Sequence, residues 1–441
     1  MTISLEAIRR CFEGAVPAQI ATCAPDGTPN VAYLSQVHYV DDRHVALSFQ
    51  FFSKTRENVL ANPYAMAQVI DPLSGVHYRL SLQYLQTETE GPLFQYMKAR
   101  LAGVASHTGM SEVFVLRGAD VYRVLDIQCA APATVIEDRM PASLLPALRA
   151  CSSRLVRCTE LAALLDETLA GLAGHFGVAH AMLLMFDSAS RYLYTVASLG
   201  YPESGVGSEI ALGAGVIGVA AREQTPIRIG FMTSDYSYSR ALRQRSGGTD
   251  GGEREIPFPG LSAPHSQMAV PITGGGRLLG VLYVESEQSM CFTYEHEDAF
   301  VALAAQLGFA MQLLEQSADR NDAVAEAPRA KVTSGEAVTV RRYAADNSVF
   351  VEGDYLIKGV AGAILWKLLS DHAQGRSEFT NRELRLDASL RLPDISDNLE
   401  ARLILLHRRL QERCPYFRIE KTGRGRFRLA VDCPVRLEAV S

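Results

Sequence analysis

The sequence lacks any long apolar segment. Nowhere do about 18 uncharged apolar residues run together, which is the length that a membrane-spanning helix requires. Residues 1–10 contain no apolar core of signal-peptide length. The eight cysteines are scattered without a C-x-x-C pair, a spacing typical neither of a disulfide framework nor of a zinc site. We therefore expect a cytoplasmic protein with reduced thiols, no membrane contact and no bound metal.

The small net charge hides an uneven distribution. The 441 residues carry a formal net charge of −6. Residues 331–441 hold 19 Lys and Arg against 15 Asp and Glu, whereas the first 330 residues hold 24 against 34. A basic C-terminal part on an acidic body indicates a polyanion such as DNA as a candidate partner.

Length and composition predict three domains. A single hydrophobic core stops growing near ~250–300 residues, and this chain is longer. Residues 318–336 are polar, aperiodic and rich in small residues, as a linker is. The remaining expected boundaries give an N-terminal domain at 1–130, a middle domain at 145–317 and a C-terminal domain at 337–441.

The hydrophobic periodicity predicts a multidomain α+β fold. Residues 16–123 alternate with a period of two, including a strand over 31–39, and are broken by turns such as Pro25-Asp26-Gly27-Thr28, which predicts a small antiparallel barrel. The middle part combines strands with helices at 155–176 and 294–314, which predicts an α/β sandwich. The last part has three helical patterns followed by a strand hairpin, the layout of a winged helix. Those patterns lie at 361–372, 382–390 and 398–412.

A motif of spaced elements marks the first domain. The strand that ends near Gln50 is followed by Ser53-Lys54, a short helix and then Asn62-Pro63, and the turn segment DGTPNV lies upstream at 26–31. Together these elements resemble the pyridoxamine-phosphate-oxidase-like split barrel, a flavin-binding family, over residues 1–125. The resemblance implies a dimer, so we expect a homodimer.

The Ser53-Lys54 turn suits the phosphate of flavin mononucleotide (FMN). A strand-to-helix turn offers backbone N–H groups and a favourable dipole to a dianion, Ser53 adds a hydroxyl, and Lys54 adds a positive charge. The resemblance implies that the flavin ring lies against the barrel. The full set of expected cofactor-binding residues is Ser53, Lys54, Gln50, Ser35, Arg56 and Tyr33. The alternative is that Ser53 is an ordinary helix cap and Lys54 a solvated side chain, and no catalytic residue is identified.

Heme is the less favoured cofactor, considered because members of the same family bind it. The candidate ligands are His38, His44, His77 and His107. A lone histidine in a strand is more often a structural or surface residue, so we expect FMN rather than heme.

The middle domain resembles a GAF domain, a family that binds small molecules over one sheet face or mediates dimerisation. The resemblance rests on PIRI at 226–229, SQMAVPI at 266–272, GVLYVES at 280–286 and CFT at 291–293. The signature of the cyclic-nucleotide branch is absent, so cyclic nucleotides are not the expected ligand.

A small-molecule effector site is expected beside the glycine-rich run at 246–253, which cannot bury apolar surface and predicts a surface loop. The alternative is that this insertion is a surface loop alone. The candidate effector-binding residues are Tyr236, Tyr238, Arg240 and His265.

The C-terminal domain resembles the DNA-binding domain of response regulators. The resemblance rests on the strand and turn at 348–353, the helix at 398–412 and the hairpin at 419–429. One face of the helix is apolar and should be core, which directs arginines outward toward phosphates and base edges. The core residues are Leu399, Leu403, Leu406 and Leu410. The expected DNA-binding residues are Arg402, Arg408 and Arg409 on the helix and Arg424 and Arg426 on the hairpin.

Two features of this helix favour a protein partner instead. Asp394, Asp397 and Glu400 near its start repel phosphates. Ile404 and Leu405 leave apolar surface exposed if Leu399 and its neighbours form the core.

The order of domains favours a one-component sensory regulator that binds a flavin or a small-molecule effector in its N-terminal domains and DNA through its C-terminal domain. One alternative is an FMN-dependent oxidoreductase that uses the other two domains for assembly. The other is a signalling adaptor whose last domain binds protein partners.

Overall fold

The computed structural model describes residues 3–14, 16–50, 54–108, 115–131, 143–231, 256–318, 337–387, 390, 399–423 and 425–440. Its strands form four sheets, one in the first part of the chain, one in the middle part and two in the last. Among the described helices, none is both long and apolar enough to cross a membrane.

The alternating sequence of the first part forms one seven-stranded antiparallel sheet with three helical segments. These elements are the 3-10 helix Glu6–Phe12, β1 Ala18–Cys23, β2 Pro29–Leu34, β3 Val37–Tyr39, β4 His44–Phe49, α1 Lys54–Ala61, β5 Tyr64–Ile70, β6 His77–Glu88, α2 Pro92–Thr108 and β7 Gly118–Ala131. The strand order is β2-β1-β5-β6-β7-β4-β3, so two strands that are consecutive in the chain form the two edges. This arrangement is that of a split barrel.

The connection between the two edge strands differs from the prediction. The single strand predicted over 31–39 is wrong, because it divides at Ser35 and Gln36 into β2 and β3. The division occurs where the backbone of Gln36 bonds Ser48 of β4, whose Oγ accepts from the Gln36 N–H at 3.1 Å. The chain therefore passes from one edge of the sheet to the other at these two residues.

The middle part is a six-stranded antiparallel sheet between two layers of helix. Its elements are α3 Leu145–Leu155, α4 Leu161–Phe176, β8 His180–Asp187, β9 Tyr192–Leu199, β10 Glu209–Ala211, α5 Gly215–Glu223, β11 Ile227–Ile229, β12 Ser266–Gly274, β13 Arg277–Ser286 and α6 Tyr294–Ala318. The strand order is β10-β9-β8-β13-β12-β11. Helices α3, α4 and α6 share an apolar core with one face, and α5 packs on the other.

The helix predicted over 155–176 begins later than expected, at Leu161 of α4, and packs against α3, which shares only Leu155 with the predicted range. A Cβ on Gly171 of α4 would lie 2.6 Å from Cys151 Sγ of α3, so the absence of a side chain permits this close approach. Helix α3 is thus an additional helix on the same face of the sheet as α4.

The C-terminal part contains the three predicted helices and the predicted hairpin. Its elements are β14 Val338–Tyr343, β15 Ser348–Val351, β16 Asp354–Ile357, α7 Gly359–Ala373, β17 Glu378–Thr380, α8 Asn381–Leu386, α9 Leu399–Arg413, β18 Phe417–Gly423, β19 Arg426–Val431 and β20 Val435–Val440. Strand β20 lies outside the predicted layout and pairs in parallel with β14. The apolar face predicted for α9 is confirmed, because Leu399, Leu403, Leu406 and Leu410 are all buried.

Candidate functional site

A cavity of about 150 Å³ lies between β2, β4 and the start of α1. It brings together four residues predicted from the sequence, Tyr33, Ser35, Gln50 and Arg56. Gln50 follows β4 and is only 6% exposed, and its carboxamide nitrogen and oxygen have no hydrogen-bond partner in the described part of the chain. Because an unsatisfied buried amide costs free energy, this cavity offers a ligand a donor and an acceptor. We call it the Gln50 cavity.

The positive charge of Lys54 lies at the rim of this region. Lys54 is the first residue of α1, is exposed, and has its Nζ 3.3 Å from Glu57 Oε2. It also helps to lower the pKa of Asp26 in the preceding turn, although hydrogen bonds from Thr28 are the larger cause. Ser53 lies outside the described residues. The described corner thus provides one accessible cation at a helix start.

Arg56 lines the Gln50 cavity, but its charge is already compensated. Its Nη1 donates to Asp120 Oδ1 at 2.7 Å, and its Nη2 donates to Thr87 Oγ1 at 3.2 Å. The guanidinium also lies 4.0 Å over the ring of Phe49. Arg56 therefore forms part of the cavity wall instead of adding positive charge for an anion.

A second cavity, of about 300 Å³, adjoins the first and was not expected from the sequence. The two share Tyr33, Leu34 and Ser35. Gln36 lines the second cavity, is 7% exposed, and has no partner for its carboxamide atoms among the described residues. The signal available in the sequence was an amide side chain next to Val37 within a predicted strand. We call this the Gln36 cavity.

The histidines considered as heme ligands do not converge. His44 Nδ1 lies 2.8 Å from Asp41 Oδ1, and Gln68 Nε2 lies 3.2 Å from His77 Nδ1. The ring of His38 lies 4.7 Å from that of Tyr96. Nothing is described of the His107 side chain, and the other three histidines line neither barrel cavity. Within the described ranges, no three His, Cys, Asp or Glu side chains come together as a metal site requires.

A buried network of charges joins the barrel to the middle unit. Arg228 of β11 is 2% exposed and donates from Nε to Glu297 Oε2 at 2.7 Å and from Nη1 to the carboxylate of Glu13. Tyr96 of α2 donates to Glu297 Oε1 at 2.8 Å, and Arg100 Nη2 donates to the Glu13 carbonyl at 2.9 Å. Burial alone would lower the pKa of Arg228, but the two carboxylates raise it well above its ordinary value.

The predicted effector site is described at one residue only. Tyr236, Tyr238 and Arg240 lie outside the described residues. His265 is exposed, and its Nδ1 lies 3.2 Å from Ser289 Oγ. The effector site predicted at these four residues therefore stays a prediction.

A different cluster on the same unit surrounds the buried carboxylate of Glu285. Glu285 Oε1 accepts from Tyr201 OH at 2.9 Å and from the Leu261 N–H at 2.7 Å, and Oε2 accepts from Tyr283 OH at 2.9 Å. Both oxygens of the Glu285 carboxylate thus accept hydrogen bonds from the protein. The bond from the Leu261 N–H attaches the backbone at Leu261 to β13.

The expectation that the arginines of α9 point outward is wrong. Arg402 is 5% exposed, with its Nη2 2.8 Å from Asp187 Oδ2 and its guanidinium 4.1 Å over the ring of Tyr194. Arg409 is buried and donates to the Leu356 carbonyl at 2.9 Å within its own unit. The reason is that the helix is covered on two sides, by the middle unit at Arg402 and by its own unit at Arg409.

Arg408 follows the same pattern. Its Nη1 donates to the Val196 carbonyl at 2.9 Å, and its Nη2 donates to Asp166. The expectation that Ile404 and Leu405 are exposed is also wrong, because both are buried. Arg426 is half-buried on β19, and Arg424 lies outside the described residues.

Among the described residues, five ion pairs join the middle unit to the C-terminal unit, and in each the acid belongs to the middle unit. The pairs are Asp187–Arg402, Asp166–Arg408, Glu203–Arg413, Glu209–Lys358 and Glu160–Lys421. Burial alone would raise the pKa of Asp187, but the charge of Arg402 and hydrogen bonds from Ser190 and Arg402 lower it. We call the five carboxylates the acidic face.

Comparison with known families agrees with these folds. Residues 4–124 match the family model of pyridoxamine 5'-phosphate oxidase, and residues 158–312 match that of the GAF domain. The first unit is therefore a split barrel of the pyridoxamine-phosphate-oxidase type, and the middle unit is a GAF domain. The assignment of the C-terminal unit to the winged helices stays a prediction.

Solved structures give likenesses of low identity. An FMN-binding protein from Syntrophomonas wolfei subsp. wolfei is 18% identical over 29% of this chain and 86% of its own, with a TM-score of 0.26. The GAF domain of a phosphoenolpyruvate-protein phosphotransferase from Acinetobacter is 20% identical over 41% and 99%, with a TM-score of 0.32. Free methionine-R-sulfoxide reductase from Neisseria meningitidis is 20% identical over 42% and 98%, also at 0.32. No curated protein matches the chain.

Proposed function

We propose that this chain is a sensory regulator whose barrel binds FMN and whose C-terminal unit, as a winged helix, binds DNA. The family match of the barrel and the unsatisfied carboxamide of Gln50 support the cofactor. The single observation that carries the regulatory part is the set of five ion pairs between the acidic face of the GAF domain and basic residues of the last unit.

The Gln50 cavity fits part of a flavin. The carboxamide of Gln50 matches the alternating donors and acceptors at the edge of the ring, and Lys54 with the first N–H groups of α1 suits the phosphate. When bound, the flavin supplies hydride and single-electron chemistry. A cavity of about 150 Å³ is smaller than the roughly 300–1,000 Å³ of drug-sized ligand sites, so a complete flavin site needs a further wall.

A second copy of the chain is the proposed source of that wall. Tyr33 of β2 lines the cavity and is nevertheless 76% exposed. Val31 on the same strand and Met66 on β5 are also exposed, and both pair in register with Ala21 of β1, so they form one apolar row. An exposed apolar row beside an incomplete cavity is the arrangement that a homodimer would cover.

The ion pairs give the GAF domain control over α9. Phosphates and carboxylates compete for the same guanidinium groups, because both form charge-assisted hydrogen bonds with them. While Arg402, Arg408 and Arg413 bind the acidic face, these side chains are not available to DNA. A change in the sensory domains that separates the two surfaces would release them together.

The flavin proposal is tested by reconstitution of the full chain with FMN and with riboflavin, which lacks the phosphate. Lys54→Ala should weaken FMN about tenfold, since a charge-assisted hydrogen bond contributes about 1.5–3 kcal/mol, and should leave riboflavin unchanged. Gln50→Met should weaken both. Lys98→Ala, on the exposed face of α2, is the matched control. A protein that binds neither flavin, or that shows a Soret band, would reject the proposal.

The regulatory proposal is tested by the affinity of the full chain for a labelled 30-base-pair duplex at 50 and 200 mM salt. The variant E160Q/D166N/E203Q removes the three more exposed charges of the acidic face and should bind about tenfold more tightly than wild type, which corresponds to about 1.4 kcal/mol for three pairs. The control E6Q/E223Q/E438Q changes the net charge equally but leaves the acidic face intact. If neither wild type nor the first variant binds, DNA is not the partner and the last unit serves assembly.

A further inference from the structure

We propose that the Gln36 cavity is an effector site for a small, uncharged and largely apolar molecule that carries an amide-type edge. This deepens the proposed sensory function by naming the class of effector and by placing its site beside the junction with the GAF domain. The sensory role of this site rests on the proposed function, but binding of the effector does not depend on binding of a flavin.

The lining of the cavity sets the class of ligand. Its described walls are mostly apolar, and none of the lining residues is Asp, Glu, Lys, Arg or His. A charged ligand would lose its hydration without gaining a partner, which is costly. The volume of about 300 Å³ is at the lower end of the range for small-molecule sites, so the ligand is compact.

The polar anchor of the cavity is Gln36. Its backbone is fixed, because its N–H donates to Ser48 Oγ and its carbonyl accepts from the Ser48 N–H, both at 3.1 Å. Its side chain is the part left unsatisfied, with one acceptor and one two-hydrogen donor. A carboxamide in this state is complementary to an amide, lactam or imide edge, which presents one donor beside one acceptor.

Each wall of the cavity leads directly to a residue of the barrel–GAF junction. Cys11 and Phe12 of one wall precede Glu13, whose carboxylate binds Arg228 of the GAF domain. The segment that holds Gln36 continues to His38, whose ring lies 4.7 Å from that of Tyr96.

The third wall is α2. Leu101, Val104 and Ala105 line the cavity from this helix. The neighbouring Gly103 approaches the GAF domain so closely that a Cβ there would lie 2.7 Å from Ile227 Cγ2. One side of α2 lines the cavity and another side packs on the GAF sheet. A ligand that shifts α2 would therefore shift its contact with β11 directly.

The test uses two probes of equal shape, 2-naphthamide, which is neutral, and 2-naphthoate, which is charged, with the full chain in a calorimeter. We expect 2-naphthamide to bind saturably and 2-naphthoate to bind at least tenfold more weakly. Gln36→Met keeps the volume but removes the hydrogen bonds, and it should weaken 2-naphthamide about tenfold. Val104→Trp, at a partly exposed position, should abolish binding by filling the cavity. Gln50→Met, in the neighbouring cavity, should leave it unchanged.

Hydrogen exchange gives the second readout. We expect 2-naphthamide to slow exchange in Pro92–Thr108 and Ile227–Ile229 of wild type but not of Gln36→Met, which also shows whether the variant is folded. The inference would be overturned if wild type did not bind 2-naphthamide saturably. It would also be overturned if both Gln36→Met and Val104→Trp bound 2-naphthamide as tightly as wild type does. Displacement of the probe by FMN would overturn it as well, because the two cavities would then form a single flavin site.

The outcomes separate this inference from the proposed function. If FMN binds with the expected dependence on Lys54 and 2-naphthamide does not bind, only the effector site is rejected. If 2-naphthamide binds as expected and no flavin does, the cofactor proposal is rejected and the effector site stands.

Discussion

Replacing Arg228 with methionine is the most direct test of how the barrel is held to the GAF domain. Methionine keeps much of the length of the side chain and removes its charge. Arg228 bridges Glu13 and Glu297, and all three side chains are buried. Removing one partner of a buried ion pair costs roughly 3–5 kcal/mol, because the remaining charge loses its compensation.

The surroundings place the expected loss near the lower end of this range. Glu297 keeps its hydrogen bond from Tyr96. Glu13 keeps its ion pair with Arg100, in which Arg100 Nη2 lies 3.8 Å from Glu13 Oε2. Each carboxylate therefore retains one polar neighbour in the variant. We expect the free energy of unfolding of the barrel–GAF part to fall by about 3 kcal/mol.

Urea unfolding with two probes provides the measurement. Circular dichroism follows the whole chain, whereas fluorescence follows Trp366, the only tryptophan, which lies on α7 of the C-terminal unit. Because a multidomain chain does not unfold in one step, the two midpoints are compared separately. The dichroism midpoint should fall, and the fluorescence midpoint should stay within error of wild type.

Two further variants serve as controls for this reasoning. Arg222→Met breaks the exposed pair with Glu223 and should cost less than about 1 kcal/mol. The double variant R228M/E297Q removes Arg228 together with one of its two carboxylates, leaves Glu13 beside Arg100, and should recover part of the loss. If Arg228→Met costs no more than Arg222→Met, the buried network does not stabilise the junction.

Two other predictions concern pH and backbone packing. Burial, and then the charge of Arg100, lower the pKa of His38 to about 3, below the ordinary value of about 6.5. A base whose pKa is lowered by folding contributes stability that is present above about pH 6.5 and lost as the pH falls toward 3, so His38→Gln should flatten the decline of the urea midpoint between pH 6.5 and 4. Gly280→Ala would place a Cβ 2.1 Å from the Leu184 carbonyl oxygen on the adjacent strand and should cost about 1–3 kcal/mol in thermal unfolding. Gly174→Ala, where a Cβ meets nothing within 4 Å, should be neutral or slightly stabilising, and equal effects of the two alanines would contradict the packing argument.

Local structure was largely predictable from the sequence because its causes are local. The turn at Pro25-Asp26-Gly27-Thr28 forms as expected, with Gly27 at a φ of 88° and the Ala24 N–H bonded to the Thr28 carbonyl at 2.9 Å. The apolar spacing of α9 identified its four core leucines. Such patterns depend on neighbours within one helical turn or one hairpin.

The candidate site was predicted in part. The motif resemblance selected Tyr33, Ser35, Gln50 and Arg56, which line one cavity. It did not indicate that Asp120 compensates Arg56, because that contact joins residues 64 positions apart. The burial of Gln36 likewise depends on the distant helix α2, which covers the cavity that this residue lines.

Helical periodicity failed for the arginines of α9 for a related reason. It shows which side chains share a face, but it does not show whether that face meets solvent or another domain. Arg408 finds its partner Asp166 at a separation of 242 residues. The charge count indicated a polyanion partner for the last unit. It did not indicate that carboxylates of the middle unit form ion pairs with basic residues of the last unit.

The two charged junctions of the GAF domain differ in how exposed their ion pairs are. The barrel junction is built on side chains that are almost fully buried, where charges are poorly screened and the loss of one partner is costly. The C-terminal junction combines the buried pair Arg402–Asp187, with side chains 7% and 12% exposed, with pairs such as Arg413–Glu203, whose side chains are 52% and 75% exposed. Exposed pairs contribute only about 0–1 kcal/mol each and weaken with salt. Under the proposed regulation, a signal that separates α9 from the GAF domain must therefore break the buried Arg402–Asp187 pair as well as the exposed pairs, and the buried pair sets most of the cost.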